Sequence, residues 1–154
     1  MKESNDSIKR VVIENVTPSV DGGRFPVKRI KGDSVVVEAD IFTDGHDALS
    51  CDILYRRKDA GSWNRAPMDY SGNDRWRGSF VVDDIGVFLF TVCGWVDRFK
   101  TWRRDLERRR KAGQDLSIEL QIGSELISEA AEAAKGPERM LLRDHARKIL
   151  TEDF

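Results

Sequence analysis

Few side chains in this sequence are of a type and spacing that could do chemistry. The two histidines, His46 and His145, lie in different halves of the chain. His46 sits in Asp44-Gly45-His46-Asp47, a polar turn, and reads as a solvated residue. No group of His, Cys, Asp and Glu has the spacing of metal ligands, so no metal and no cofactor is expected. Gly22-Gly23 lacks the lysine and the repeated glycines of a phosphate-binding loop. Asp83-Asp84 falls at a turn and reads as a capping pair. Carboxylates that act on a glycosidic bond must face each other across the ligand, and nothing here signals that. No catalytic residue is assigned.

The residues that remain suit contact rather than reaction. Trp63 and Trp76 lie near turns, where an exposed indole can stack on a sugar ring, so both are candidate sugar contacts. Trp95 sits in mid-strand and is expected in the core. Trp102 lies on a helical apolar stripe and is expected to pack on a sheet. The segment Val20-Asp21-Gly22-Gly23-Arg24-Phe25-Pro26-Val27-Lys28-Arg29 combines turn formers with cations. It reads either as a structured turn with solvated cations or as a docking surface. In the second case Arg24 and Arg29, with Phe25 and Lys28 beside them, meet carboxylates of another domain.

The elements that must position these side chains are mostly strands. Residues 10–16, 34–42, 49–57, 63–68, 75–82 and 87–96 alternate or run apolar and β-branched between turn formers, and 25–30 could add an edge segment. Proline 26 cannot donate to a ladder, which restricts that segment to an edge. Short strands with turns every 8–12 residues predict an immunoglobulin-like antiparallel β-sandwich, mainly β, with a helical extension at the C-terminal end. The 87–96 strand is apolar on both parities, and an antiparallel sheet normally wets one face. Something must cover the other face, either the helix predicted at about 97–111 or another domain. Leu116, Ile118, Leu120 and Ile122 alternate with polar residues and predict one more strand, ended by Gly123. Ser124 is a plausible N-cap for a helix over 125–135, and Pro137 suits the first turn of a helix over 138–150. The domain reading is a flexible tail at 1–9, a sandwich at 10–122, and a helical hairpin at 123–154. The hairpin's apolar stripe, with Leu141 and Leu142, has few partners within the chain.

Composition bounds the partners. The chain has 154 residues, 40% hydrophobic and 34% charged, with net charge −1. One domain, or one domain plus an arm, fits that length. A balanced charge argues against a general nucleic-acid binder. The charge is uneven, however. Arg98–Lys111 holds eight basic residues against two acidic ones, whereas residues 112–154 hold five against nine. A basic helix carrying Arg103 and Arg104, followed by an acidic tail, is a composition for contact between helices or proteins. No run approaches the roughly 20 apolar residues of a membrane helix, and residues 1–9 lack the apolar region of a signal peptide. Cys51 and Cys93 read as buried reduced thiols. A cytoplasmic protein is expected.

The loop at 20–29, together with Asn73-Asp74-Arg75-Trp76-Arg77 and the block Trp95-Val96-Asp97-Arg98-Phe99-Lys100-Thr101-Trp102-Arg103-Arg104-Asp105-Leu106-Glu107, resembles one family. It is similar to the amino-terminal region of the α-1,4-glucan:maltose-1-phosphate maltosyltransferases of the α-amylase superfamily. The resemblance runs from about residue 10 to 122 and continues less specifically into the helices. It implies a much longer enzyme, which moves maltosyl units from maltose 1-phosphate to α-1,4-glucan with retention. The Asp nucleophile and Glu acid/base would lie in a downstream (β/α)₈ barrel, and no residue here matches their motifs. It also implies that a sandwich with a helical insertion supports that barrel and contributes to a homodimer. Arg24, Phe25, Lys28, Arg29, Arg103, Arg104, Leu141 and Leu142 are the candidate interdomain or dimer contacts. A free-standing sandwich that recruits α-glucan through Trp63 or Trp76 is the alternative.

Overall fold

The computed structural model describes residues 11–151; the tail expected at 1–9 lies outside them. The chain forms two compact units, one ending at Val96 and one beginning at Asp97.

The first unit holds six strands: β1 (Val11–Thr17), β2 (Ser34–Thr43), β3 (Leu49–Arg57), β4 (Asn64–Gly72), β5 (Arg75–Val81) and β6 (Phe88–Val96). Every pairing is antiparallel, in the order β1-β2-β5-β4-β3-β6. β4 changes partner midway. Residues 64–68 pair with β3, and from Asp69 onward it pairs with β5. That change folds the sheet into the two layers of a sandwich, with helices following it in the chain. The alternation of β2 shows why: Val35, Val37, Ala39 and Ile41 are all buried. They meet Ile53, Met68, Trp76 and Phe80 in a single core cluster. Stacked rings extend it, with Tyr55 and Phe80 centroids 4.4 Å apart. Gly78 permits close approach between strands, since a Cβ there would stand 2.7 Å from the Pro67 carbonyl oxygen and 2.9 Å from Ile53 Cδ1. Residues 26–30 join no strand, and Phe25 contributes only an isolated bridge to Val20.

Polar side chains hold the first strand on the sheet. β1 bulges between Glu14 and Thr17. There Asn15 Nδ2 donates to Asp40 (2.7 Å), and Arg75 Nη1 donates to Asp40 (3.0 Å) and to the Asn15 carbonyl (3.3 Å). The Asn15 hydrogen bond, followed by that of Arg75, holds the Asp40 carboxyl below the usual carboxylate range.

The second unit is three helices: α1 (Arg98–Lys111), α2 (Ser117–Ala133) and α3 (Pro137–Lys148). Asp97 caps α1 by accepting from the Lys100 amide at 2.9 Å. α2 overturns the strand expected at 116–122. Ile118 and Ile122 share an exposed face one turn apart, whereas Leu120 and the N-cap Leu116 are half-buried, so the short apolar alternation splits between two faces of a helix. Gly123 does not end an element. It is buried inside α2 because the Trp102 ring lies on it, and a Cβ would stand 2.2 Å from Trp102 Cζ2. The indole Nε1 also donates to the Glu119 carbonyl at 2.6 Å. Trp102, expected against a sheet, therefore packs on α2. Ser124 is no N-cap; its hydroxyl donates to the Ala146 carbonyl of α3 at 2.7 Å. The start signal lies upstream, where Asp115 accepts from the amide and hydroxyl of Ser117.

Trp95 is also corrected. It is 36% exposed on the outer side of β6, whereas Trp76 is 8% exposed and donates from Nε1 to the Ile41 carbonyl at 3.1 Å. Burial removes Trp76 as a platform for sugar. Trp76→Ala should cost about 3–5 kcal/mol in urea unfolding, against about 1 kcal/mol for Trp95→Ala; similar costs would contradict this placement. Gly123→Ala should overpack the Trp102 contact by about 1–3 kcal/mol. The expected readout is faster hydrogen exchange of α1 and α2 amides, with strand amides unchanged.

Candidate functional site

The candidate contact residues fall into separate groups. Arg24, Phe25, Lys28 and Arg29 lie in the loop before β2, all exposed. Arg24 reaches Asp21 at 3.5 Å, and Arg29 donates to the Lys28 carbonyl at 2.8 Å. Both cations are thus engaged locally, while Phe25 stays 57% exposed. On the helical unit, Arg103 and Arg104 line the outer side of α1 and pair within their own helix, with Glu107 at 4.0 Å and Asp105 at 3.5 Å. Leu141 is 57% exposed on α3. Leu142 turns inward and lines a groove with Phe99, Leu126, Ile127, Ala130 and His145. At its rim Arg98 meets Glu129 at 3.0 Å. An apolar floor under an ion-paired rim suits an apolar side chain of a partner.

A third surface is assembled by strands, on the face of 87–96 whose second apolar parity calls for a cover, although none of its residues but Trp63 stands among the candidate contacts. Residues of odd parity on β6 (Leu89, Thr91, Cys93 and Trp95) are exposed, and those of even parity are half-buried toward the core. Cys93 is therefore exposed, against expectation; Cys51 is buried as expected. The β6 register sets Cys93 beside Asp52, Thr91 beside Leu54 and Leu89 beside Arg56. On the other flank of β3, Arg65 of β4 stands beside Leu54. Arg65 spans β3, bonding Asp52 from Nε at 2.8 Å and holding its guanidinium 5.7 Å from the Trp95 ring centre. Arg56 lies 4.8 Å over the ring of Trp63, which is 43% exposed. Each outward indole thus has a cation stacked near its face. The signal available in the sequence was the double apolar parity of 87–96, but assigning Trp95 to the core hid it.

Among the described residues, every carboxylate whose pKa departs from the ordinary value is held down. Arg57 lowers Asp59, the Ile85 amide lowers Asp84, Arg143 lowers Glu132 and Lys148 lowers Asp144, each as the largest cause. A general acid requires the opposite shift. Among the described residues no cluster of three or more His, Cys, Asp or Glu could hold a metal ion.

Comparison with known proteins gives this arrangement its family. The family description alpha-1,4-glucan:maltose-1-phosphate maltosyltransferase, domain N/S, matches residues 9–153. The maltosyltransferase of Chlorobaculum tepidum is 52% identical over 130 residues, covering 84% of this chain and 19% of that protein. That of Methylacidiphilum infernorum is 38% identical over 122 residues, covering 79% and 18%. That of Cereibacter sphaeroides is 36% identical over 144 residues, covering 94% and 23%. The chain spans about a fifth of the length of these relatives. An antiparallel sandwich followed in the chain by three helices, matched over nearly all its residues, belongs to the α-1,4-glucan:maltose-1-phosphate maltosyltransferase family as its domain N/S.

Proposed function

We propose that this chain is a non-catalytic supporting domain of a maltosyltransferase, and that it holds a catalytic barrel and contributes to a homodimer. The observation that carries the reading is the match to domain N/S across residues 9–153. In the whole enzyme, maltose 1-phosphate donates maltosyl units to the ends of an α-1,4-glucan, in a cytoplasmic α-glucan synthesis. Transfer with retention uses two carboxylates roughly 5 Å apart, one a nucleophile and one an acid/base. Asp40, Asp84, Glu132 and Asp144 are instead paired with arginine, lysine or amide partners. On this reading the chemistry belongs to the part of the enzyme that the relatives carry outside the matched region. Dimer contact is supported by the apolar side chains that α3 leaves open, Met140 at 75% and Leu141 at 57% exposure. No helix among the described residues is long and apolar enough to cross a membrane. The alternative, recruitment of α-glucan, now rests on Trp63, because Trp76 is buried.

The 154-residue chain incubated with maltose 1-phosphate and glycogen should release no phosphate above the blank. Release that depends on the chain would overturn the supporting role. In sedimentation velocity the chain should associate, and Leu141→Asp should shift it to monomer without moving the urea midpoint. Monomeric wild-type chain at high micromolar concentration would overturn the dimer.

A further inference from the structure

We propose that the outer face of β4, β3 and β6 is the surface on which the catalytic region of a maltosyltransferase docks; this rests on the supporting role proposed above. Outward positions of an antiparallel sheet are ordinarily polar. Here Leu54, Leu89, Cys93 and Trp95 form an apolar band, and Val87, 55% exposed, continues the β6 parity at one end. Arg65 crosses the band, and Arg56 with Trp63 closes the far side. Tryptophan and arginine are the side chains that most often carry binding energy at protein interfaces. Stacking fixes both guanidinium groups in place before any partner arrives, which reduces the ordering cost of association. The Arg56 Nε is buried with no hydrogen-bond partner, although its Nη1 bonds the Ala60 carbonyl.

The charge pattern selects the occupant. Across the outward positions of these three strands the acids are Asp52, which Arg65 already occupies, and Asp69 of β4, which stands beside Arg77 of β5. A second copy placed face to face about a two-fold axis would bring the cations Arg56 and Arg65 near like charges, with Asp69 at the margin as the one acid that Arg65 does not hold. A glucan needs open ring faces and hydrogen-bonding neighbours. Here guanidinium groups stack on the indoles, and the ground between is leucine, threonine and thiol. The fitting partner is a folded protein surface with an apolar centre and flanking carboxylates. About four-fifths of each relative lies outside the matched region, so such a surface would be present in the same polypeptide at high effective concentration.

Cys93 reports on this face, and buried Cys51 reports on the fold. The test compares maleimide labelling of the 154-residue chain with that of a full-length enzyme in which residues 9–153 replace the matched region of the Chlorobaculum tepidum relative. Labelling is read on the Cys93 peptide by mass spectrometry. Cys93 should label fast in the chain and at least tenfold more slowly in the full-length enzyme, with Cys51 unreactive in both. Leu89→Asp in the full-length enzyme should restore fast labelling while Cys51 stays protected. Equal Cys93 rates with Cys51 protected would overturn the proposal. Protection that grows with concentration of the 154-residue chain would assign the face to a second copy, and protection by added glycogen would assign it to glucan; either overturns it. Maltosyl transfer by the same full-length enzyme is scored separately, so Cys93 protection without transfer sinks the functional reading and leaves the docking face standing.

Discussion

The sandwich depends on one strand that serves two partners. β4 bonds β3 through residues 64–68 and β5 from Asp69 onward, and Met68, where the partner changes, is buried in the core. A strand can bond two neighbours of different layers only by turning between them, and this turn brings Ile53 over Gly78. The core of Val37, Ile41, Ile53 and Phe80 fills the space so enclosed. The helical unit has a counterpart in Trp102 on Gly123, where a missing side chain admits an indole against a backbone. In both units a glycine sets how closely two elements approach.

Much of the sheet was legible because its residues obey one period. β2, β3, β5 and β6 fall within a residue or two of the expected 34–42, 49–57, 75–82 and 87–96, since β-branched alternation burying one face has few other solutions. β4 runs further than its apolar content suggested, reaching Gly72 through Asp69 and Tyr70. Those residues join the ladder by pairing with β5, an interaction at distance that leaves no apolar trace in the local sequence. The α2 error has a different cause. Four apolar residues at alternate positions satisfy a strand, yet here one is the N-cap and three sit on a helix whose buried side is made by Glu119, Gly123 and Ala131. Small and charged residues do not announce a buried face, and Glu119 is buried only because Arg109 meets it at 2.8 Å.

For the candidate contact residues the sequence supplies types, and the structure adds exposure and neighbours. The loop cations and Leu141 are exposed as contact residues require. For Trp63, Trp76 and Trp95, by contrast, distance from turns is a poor guide, because parity decides exposure within a strand. Trp76 shares its side of β5 with Phe80 and is buried, while Trp95 shares its side of β6 with Leu89 and is exposed. Counting in twos from any one core residue of the same strand would have separated them. The cations stacked on Trp63 and Trp95 come from adjacent strands, so they become visible only with the register in hand.

At the elbow between α2 and α3, Arg139 donates to the carbonyls of Ala131, Glu132 and Ala134. These are groups that a helix end leaves without partners of its own. The finishing cap of one helix is thus carried by the first turn of the next. Cutting α3 away at that bend would uncap α2, so the end of the earlier helix is finished only in the company of the one that follows it.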